Sequence, residues 1–188
     1  ESYTASISGP GTLGAIATAN IASSNNSLGR AISVKAGDLV QVFADGSSGV
    51  STITISTASG VVIGTKKVTF YGDAATITAK TTALTTGTVA KVGSNAKLIT
   101  FEVKDAAGTD VTTGSYYLVS ADATKISNTY TACNAWDATD GWTCGVTGVA
   151  KGSTTVYVTN KPSATDTTVT TVIKSADVAV RVGTTTPA

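Results

Sequence analysis

The chain repeats one pattern of strand and turn, and this repeat limits its fold more than any other feature. The first copy comprises Gly49–Ser56 and, after a loop, Val68–Gly72. The second copy comprises Gly152–Thr159 and, after a loop eight residues longer, Ala179–Gly183. Both copies are rich in β-branched residues, which is typical of strands. An internal repeat of about one hundred residues built from strands predicts two β-sandwich domains in tandem.

The composition favours sheets whose surfaces are hydrated through hydroxyl groups rather than through charge. Only 13% of the 188 residues are charged, compared with about 25% in ordinary soluble proteins. Thirty-six residues are threonine and 19 are glycine. Threonine is β-branched, so it suits a pleated sheet, and its hydroxyl group binds water. We therefore expect an all-β protein with few surface charges.

Several classes of function lack their usual residues in this chain. Histidine, the commonest general base and a frequent metal ligand at neutral pH, does not occur. We therefore predict that the chain is not an enzyme and holds no cofactor. The net charge is +1 and the basic residues are spread singly, which argues against a nucleic-acid partner. No apolar run approaches the roughly 18–20 residues of a membrane span.

The two cysteines, Cys133 and Cys144, close a short segment at a spacing that a β-hairpin can bridge. A structural zinc site needs four cysteine or histidine ligands, so two cysteines cannot form one. A disulfide is favoured over two buried free thiols. A disulfide in turn favours an exported protein, because such bonds persist in oxidising compartments.

Strand patterns and turn residues alternate along the whole chain, whereas helix patterns are poorly supported. The stretch Thr12–Ala22 is rich in alanine but also holds threonine and isoleucine, so we expect a loop or a strand there. The predicted strands are Leu39–Phe43, Ser51–Ser56, Lys67–Tyr71, Thr76–Ala79, Leu98–Val103, Tyr116–Ser120, Thr154–Thr159 and Asp177–Val182.

Two segments of the second half resemble a known family. Leu98–Val103 leads into a turn at Asp105–Gly108 and resumes at Val111. This is similar to the early hairpin of bacterial immunoglobulin-like domains, as found in invasin-type adhesins and surface-layer proteins. Gly152–Val158 resembles a later strand of those domains. The resemblance implies two tandem immunoglobulin-like β-sandwiches: residues 1–72, short or partial, and residues 73–183, which include the cysteine hairpin. Residues 184–188 then form a linker or tail.

The first repeat is expected to lack its opening strands. Ser2–Thr4 resembles Ser115–Tyr117, yet the second repeat has a long segment before this point, Asp73–Gly114, and the first has almost none. A sandwich without those strands has unpaired edges and an uncovered apolar face. Either a neighbouring subunit supplies a strand, or the segment Thr4–Ile16 closes a smaller sandwich by itself.

The cysteine-bounded segment holds both tryptophans, Trp136 and Trp142, together with Asp137 and Asp140. Two indole rings and two carboxylates on a stapled loop are one arrangement that binds a glycan, because aromatic faces stack on sugar rings. The alternative is that the two tryptophans pack against each other across a hairpin. These four residues are candidate ligand contacts.

Calcium and glycan attachment are the remaining candidates. Asp137 and Asp140, joined by Asp105, Asp110 or Asp122, offer carboxylates for calcium, but the density of a calcium loop is missing. Turn capping is the default role of such aspartates. Asn25 lies in an acceptor pattern for N-glycosylation.

The leading hypothesis is a structural protein of the bacterial cell surface, a building block of a surface layer or an extracellular filament. It rests on the tandem strands, the low charge and the expected disulfide. Such a protein associates with identical subunits or with adjacent domains of a longer chain. The alternative is an adhesin or carbohydrate-binding module that uses the Trp136–Trp142 loop. A pilin-like filament subunit is a further alternative, although the long apolar amino-terminal helix of pilins is missing from this sequence.

Overall fold

The computed structural model describes residues 1–16, 28–81, 88–127 and 130–183. Every regular element among them is a β-strand, so the prediction of an all-β protein is confirmed. The described part of the chain holds no helix with the length and apolar character needed to cross a bilayer. The chain divides into two compact units, Glu1–Gly72 and Asp73–Ala188.

The first unit forms two sheets. Four strands form one sheet in the order β3-β1-β5-β6, and β2 pairs with β4 in the other. All pairs are antiparallel. The six strands are β1 (Ser2–Ser8), β2 (Thr12–Ile16), β3 (Ala31–Lys35), β4 (Leu39–Phe43), β5 (Gly49–Thr57) and β6 (Val62–Phe70).

A tight corner at residues 9–11 carries the chain from one sheet of the first unit to the other. The Arg30 guanidinium holds this corner, because it donates hydrogen bonds to the carbonyl oxygens of Ile7, Gly9 and Gly11 at 3.0, 2.6 and 3.0 Å. The Asp45 carboxylate accepts a hydrogen bond from the Gly11 N–H group at 2.7 Å. The corner places β2 beside β4, so a segment of the unit's own chain lies opposite the larger sheet.

Both sheets of the first unit contribute to one core. The alternation of buried and exposed residues along β1, β3 and β5 turns one face of the larger sheet toward Leu13, which is fully buried on β2. This arrangement is consistent with a small β-sandwich. The buried members of the core are Ala5, Ile7, Leu13, Ile32, Val34 and Ile53.

The second unit also consists of two sheets, with orders β12-β9-β7 and β11-β10-β13-β14-β8. Strand β8 runs parallel to β14, and the other pairs are antiparallel. The eight strands are β7 (Ala74–Thr81), β8 (Thr88–Lys91), β9 (Gly93–Asp105), β10 (Tyr117–Ser120), β11 (Thr131–Ala132), β12 (Trp142–Gly148), β13 (Gly152–Thr159) and β14 (Val178–Gly183).

The core of the second unit is larger because both of its sheets contribute long buried faces. Ile99, Phe101 and Val103 alternate along β9 and are almost completely buried. The sheet that holds β10, β13 and β14 supplies Leu118 and Val156, both buried, among others. Apolar residues from two sheets in one core are consistent with a β-sandwich.

The hairpins of the two repeats have the same construction. Gly49 lies opposite Phe70 in the β5–β6 pair, and Gly152 lies opposite Val182 in the β13–β14 pair. The paired residues place the return strand of the second repeat one residue later than the sequence comparison did, so that comparison is wrong by one position. The comparison aligned Gly72 with Gly183, but Gly72 lies two residues beyond β6 whereas Gly183 is the last residue of β14, and strand register determines which residues correspond.

Candidate functional site

The cysteine-bounded hairpin is stapled at its base. Cys133 and Cys144 form a disulfide with their Cα atoms 4.3 Å apart. Next to the disulfide, the Asn134 N–H group donates to the Thr143 carbonyl oxygen at 2.8 Å. The Asn134 side-chain amide also donates to the Thr143 hydroxyl oxygen at 2.8 Å. These contacts fix the direction in which the hairpin leaves the sandwich.

Both carboxylates of this hairpin are engaged by other groups of the chain. The Asp137 carboxylate accepts hydrogen bonds from the N–H groups of Thr139 and Asp140 at 2.8 and 3.2 Å. These donors, that of Thr139 first, hold the pKa of Asp137 below its usual range. Asp140 accepts a hydrogen bond from the Lys97 ammonium group, which raises the pKa of Lys97. Asp137 therefore caps the turn, which is the default role of such aspartates, whereas Asp140 connects the turn to β9 through Lys97.

Trp142 belongs to the core and is only 4% exposed. Its ring stacks on Phe101 with centroids 5.7 Å apart and meets Tyr116 edge-on at 4.9 Å. Its Nε1–H group donates to the Val111 carbonyl oxygen at 3.0 Å. The ring is almost completely buried and its polar atom is already satisfied, so Trp142 has a structural role, and its contact with a ligand stays a prediction.

Trp136 lies on the other arm of the hairpin, before the turn, and is 42% exposed. It borders a cavity of about 210 Å³, which Trp142 also lines, at the start of β12 and beside β9 and the segment that follows β9. Glu102 and Asp110 also line this cavity, and Asp110 accepts a hydrogen bond from the Lys104 ammonium group at 2.7 Å. An exposed aromatic ring beside carboxylate acceptors is suited to a polyhydroxylated ligand.

The five aspartates proposed for calcium do not converge. Asp105 accepts the N–H groups of Ala107 and Thr109 within its own turn. Asp122 accepts hydrogen bonds from the N–H and hydroxyl groups of Thr124. Across residues 1–16, 28–81, 88–127 and 130–183, no three histidine, cysteine, aspartate or glutamate side chains cluster as metal ligands do. Asn25, the candidate for N-glycosylation, and the tail at 184–188 lie outside the described residues.

The tip of the β5–β6 hairpin is a second candidate surface, and the sequence analysis missed it. Three consecutive apolar residues, Val61, Val62 and Ile63, are 63%, 57% and 57% exposed. The turn beneath them is hydrogen-bonded. The Thr57 N–H group donates to the Val61 carbonyl oxygen at 2.9 Å, and the Val61 N–H group donates to the Thr57 hydroxyl oxygen at 3.0 Å. We call Val61–Ile63 the apolar tip.

A signal for the apolar tip was present in the sequence. Gly60 and Gly64 bracket the three residues, so the run is too short for a buried strand and lies between turn residues. The predicted strand began only at Lys67, whereas β6 begins at Val62. The sequence pattern therefore places Val61–Ile63 in a loop, whereas Val62 and Ile63 belong to β6.

Comparisons with known proteins do not identify the chain. No protein-family model matches it, and no curated protein matches it. Among solved structures it is similar to that described as "Crystal structure of the S-layer protein SbsC domains 4 and 5", with 22% sequence identity and a TM-score of 0.35. The match covers 72% of this chain and spans 65% of the length of that chain. A TM-score this low does not establish a common fold.

Proposed function

We propose that the chain is a non-catalytic structural module of an extracellular assembly, such as a surface layer or a filament, and that it self-associates. The observation that carries the proposal is the apolar tip, because monomeric proteins rarely expose consecutive large apolar residues without a function. Covering Val61, Val62 and Ile63 in a contact with another subunit removes this apolar surface from water.

The strand order of the second unit supports an immunoglobulin-like building block. In immunoglobulin constant domains the first, second, fourth and fifth strands share one sheet and the third, sixth and seventh share the other. With β8 and β11 set aside as additional strands, β7, β9 and β12 correspond to the first, second and fifth strands, and β10, β13 and β14 to the third, sixth and seventh. The fourth strand has no counterpart among the described strands of this unit. The additional strands extend the second sheet, β11 beside β10 and β8 beside β14.

The disulfide supports an extracellular location. Cys144 is completely buried on β12, and its bond to Cys133 joins this strand to the segment that follows β11. Disulfides of this kind form and persist in secreted and surface proteins, whereas the cytosol keeps thiols reduced. An extracellular structural module also has no need of a catalytic site or a cofactor, and the proposal assigns neither to this chain.

Sedimentation velocity over a range of protein concentrations tests the proposal. We expect the unmodified chain to form larger species as its concentration rises. A double variant, Val62→Thr with Ile63→Thr, keeps β-branched side chains but removes apolar surface, so it should stay monomeric. Val50→Thr is the matched control, because Val50 is 56% exposed on the same hairpin but lies away from the tip. Equal association of all three proteins would reject the tip as an interface.

The exposed ring of Trp136 favours a second candidate function, glycan binding. The ring borders the cavity of about 210 Å³ that Glu102 and Asp110 also line. Retention on columns of immobilised glucose- or N-acetylglucosamine-containing polysaccharides tests this function. If it is correct, the unmodified chain is retained and the Trp136→Ala variant is not. Equal elution of both proteins on every column would reject it.

A further inference from the structure

The larger sheets of the two units differ by one strand. In the second unit the sheet has five strands, and β8 is the last of them, beyond β14. In the first unit the sheet has four, and β6 is the last. Since Gly49–Phe70 and Gly152–Val182 are equivalent pairs, β6 corresponds to β14. Among the described residues, the position that β8 fills in the second unit has no strand in the first.

We propose that the outer edge of β6 accepts an added strand, running parallel to β6, from a polypeptide partner that carries an acidic residue. This is strand addition to an open sheet edge, a recognised mode of peptide binding. The second unit shows the geometry, because β8 pairs in parallel with Val180–Gly183. Transferred to the equivalent residues of β6, the same register places the added strand beside Val68, Thr69 and Phe70.

The charge of β6 determines the kind of partner. The inward-facing positions of β14 are Val178 and Val180, both buried. The equivalent positions of β6 are Lys66 and Val68, and Lys66 is exposed. Lys67 follows on the opposite face, and β6 contains no acidic residue. An acidic residue on the added strand opposite Lys66 forms a cross-strand ion pair, which an uncharged strand lacks.

The same lysines argue against a second copy of β6 as the partner. An antiparallel pair of two β6 strands centred on the middle of Val62–Phe70 places Lys66 opposite Lys66. Like charges directly opposite each other destabilise a sheet, and lysines on edge strands are a common protection against such pairing. The uncharged segment Val68–Phe70, in contrast, is half-buried at Val68 and Phe70, so it can accept a strand of suitable sequence.

Disulfide trapping with a synthetic peptide tests this proposal. The peptide has the sequence of residues 86–93, which contains β8, with Val89→Cys. If the peptide pairs with β6 as β8 pairs with β14, peptide position 89 lies beside Thr69 and peptide position 86 lies beside Lys66. The full chain carries Thr69→Cys, and its own cysteines are bonded to each other. We expect the peptide to form a disulfide with Thr69→Cys in glutathione buffer several-fold faster than with the Thr65→Cys control, which lies outside the β8 register.

A charge reversal then separates specific pairing from random collision. Thr86→Glu in the peptide should increase trapping several-fold, Thr86→Lys should decrease it, and Lys66→Glu in the chain should reverse this order. Amide hydrogen exchange gives an independent test. It is measured on the chain without any substitution, in the presence of a Thr86→Glu peptide that keeps Val89. Slower exchange is expected at Val68–Phe70 but not at Val178–Val182, whose edge β8 already covers.

Three results would overturn the proposal: equal trapping at positions 65 and 69, no response to the charge reversal, or no change in exchange at Val68–Phe70. Concentration-dependent pairing of β6 with a second copy, which the peptide fails to displace, would also overturn it. The apolar tip lies at the opposite end of β6. Failure of strand addition therefore does not contradict the proposed self-association. Failure of self-association likewise does not contradict strand addition.

Discussion

Gly49 and Gly152 begin equivalent strands with almost the same backbone conformation, at φ angles of +141° and +143°. Residues other than glycine rarely adopt this region. A residue with a Cβ atom would be strained at this φ angle, and this explains why the repeated pattern begins with glycine in both copies. The equivalence extends to the neighbouring strand, since Thr4 lies opposite Ser56 and Tyr117 lies opposite Thr159.

Gly49→Ala and Gly152→Ala are each expected to reduce the free energy of unfolding by about 1–3 kcal/mol, because alanine is strained at these φ angles. The added Cβ atom also meets Pro10 at 3.2 Å in the first case and Lys125 at 2.9 Å in the second. Gly64→Ala is the control, because its Cβ atom would have open space. Chemical denaturation of the three variants measures the effect, and equal stability of all three would contradict it.

Truncation of the two tryptophans is expected to have effects of very different size on stability. Trp142→Ala removes a buried ring that packs on Phe101 and Tyr116, so we expect a loss of about 3–5 kcal/mol in the free energy of unfolding. Trp136→Ala removes a ring that is 42% exposed, and it should change that free energy by less than about 0.5 kcal/mol. Urea denaturation distinguishes the two, and a larger loss for Trp136 would contradict these assignments.

Reduction of the Cys133–Cys144 bond should lower stability without unfolding the chain. In the chain-entropy model a disulfide at a sequence separation of 11 contributes about 2–3 kcal/mol. Intact-mass measurement before and after reduction establishes the bond, and thermal unfolding of both forms measures its contribution. Alkylation of both cysteines before any reductant is added would show that the bond does not form.

Asp45 should make the stability of the first unit sensitive to acid. The N–H groups of Ser47 and Gly11 donate to its carboxylate and hold its pKa below the usual range. A carboxyl group with a lowered folded pKa contributes stability that is complete above its unfolded pKa, about 3.9. This contribution is lost as the pH falls through the folded pKa.

The Asp45→Asn variant tests this assignment. It should be less stable than the unmodified chain at pH 7 and should lose less stability below about pH 4. NMR titration of the Asp45 carboxyl carbon in the unmodified chain measures the shift directly. A midpoint at or above the unfolded value would contradict the assignment.

The sequence predicted those parts of the fold that local patterns determine. The predicted strand Leu39–Phe43 has the observed bounds of β4, because its apolar residues and flanking turns define it locally. The turn after β9 was also predicted, and the Gly108 N–H group donates to the Asp105 carbonyl oxygen there. In both cases the signal lies in residues close in sequence, although β4 itself pairs with the distant strand β2.

The sequence did not predict features that depend on distant partners. Trp142 is part of the core because Phe101 and Val111 lie against it, and neither is near it in sequence. Strand β3 at Ala31–Lys35 was missed, although its buried residues, Ile32 and Val34, alternate with exposed ones. The pattern is only five residues long, and pairing with β1 determines it.

Hydrogen exchange at low and high protein concentration tests self-association through the apolar tip most directly. We expect the amides of Val61, Val62 and Ile63 to exchange more slowly at high concentration, because a neighbouring subunit then covers them. The tip of the unmodified chain should show this change, and the Val62→Thr, Ile63→Thr variant should not. If exchange at Val61–Ile63 is the same at every concentration while the chain remains monomeric, the proposed structural role is contradicted.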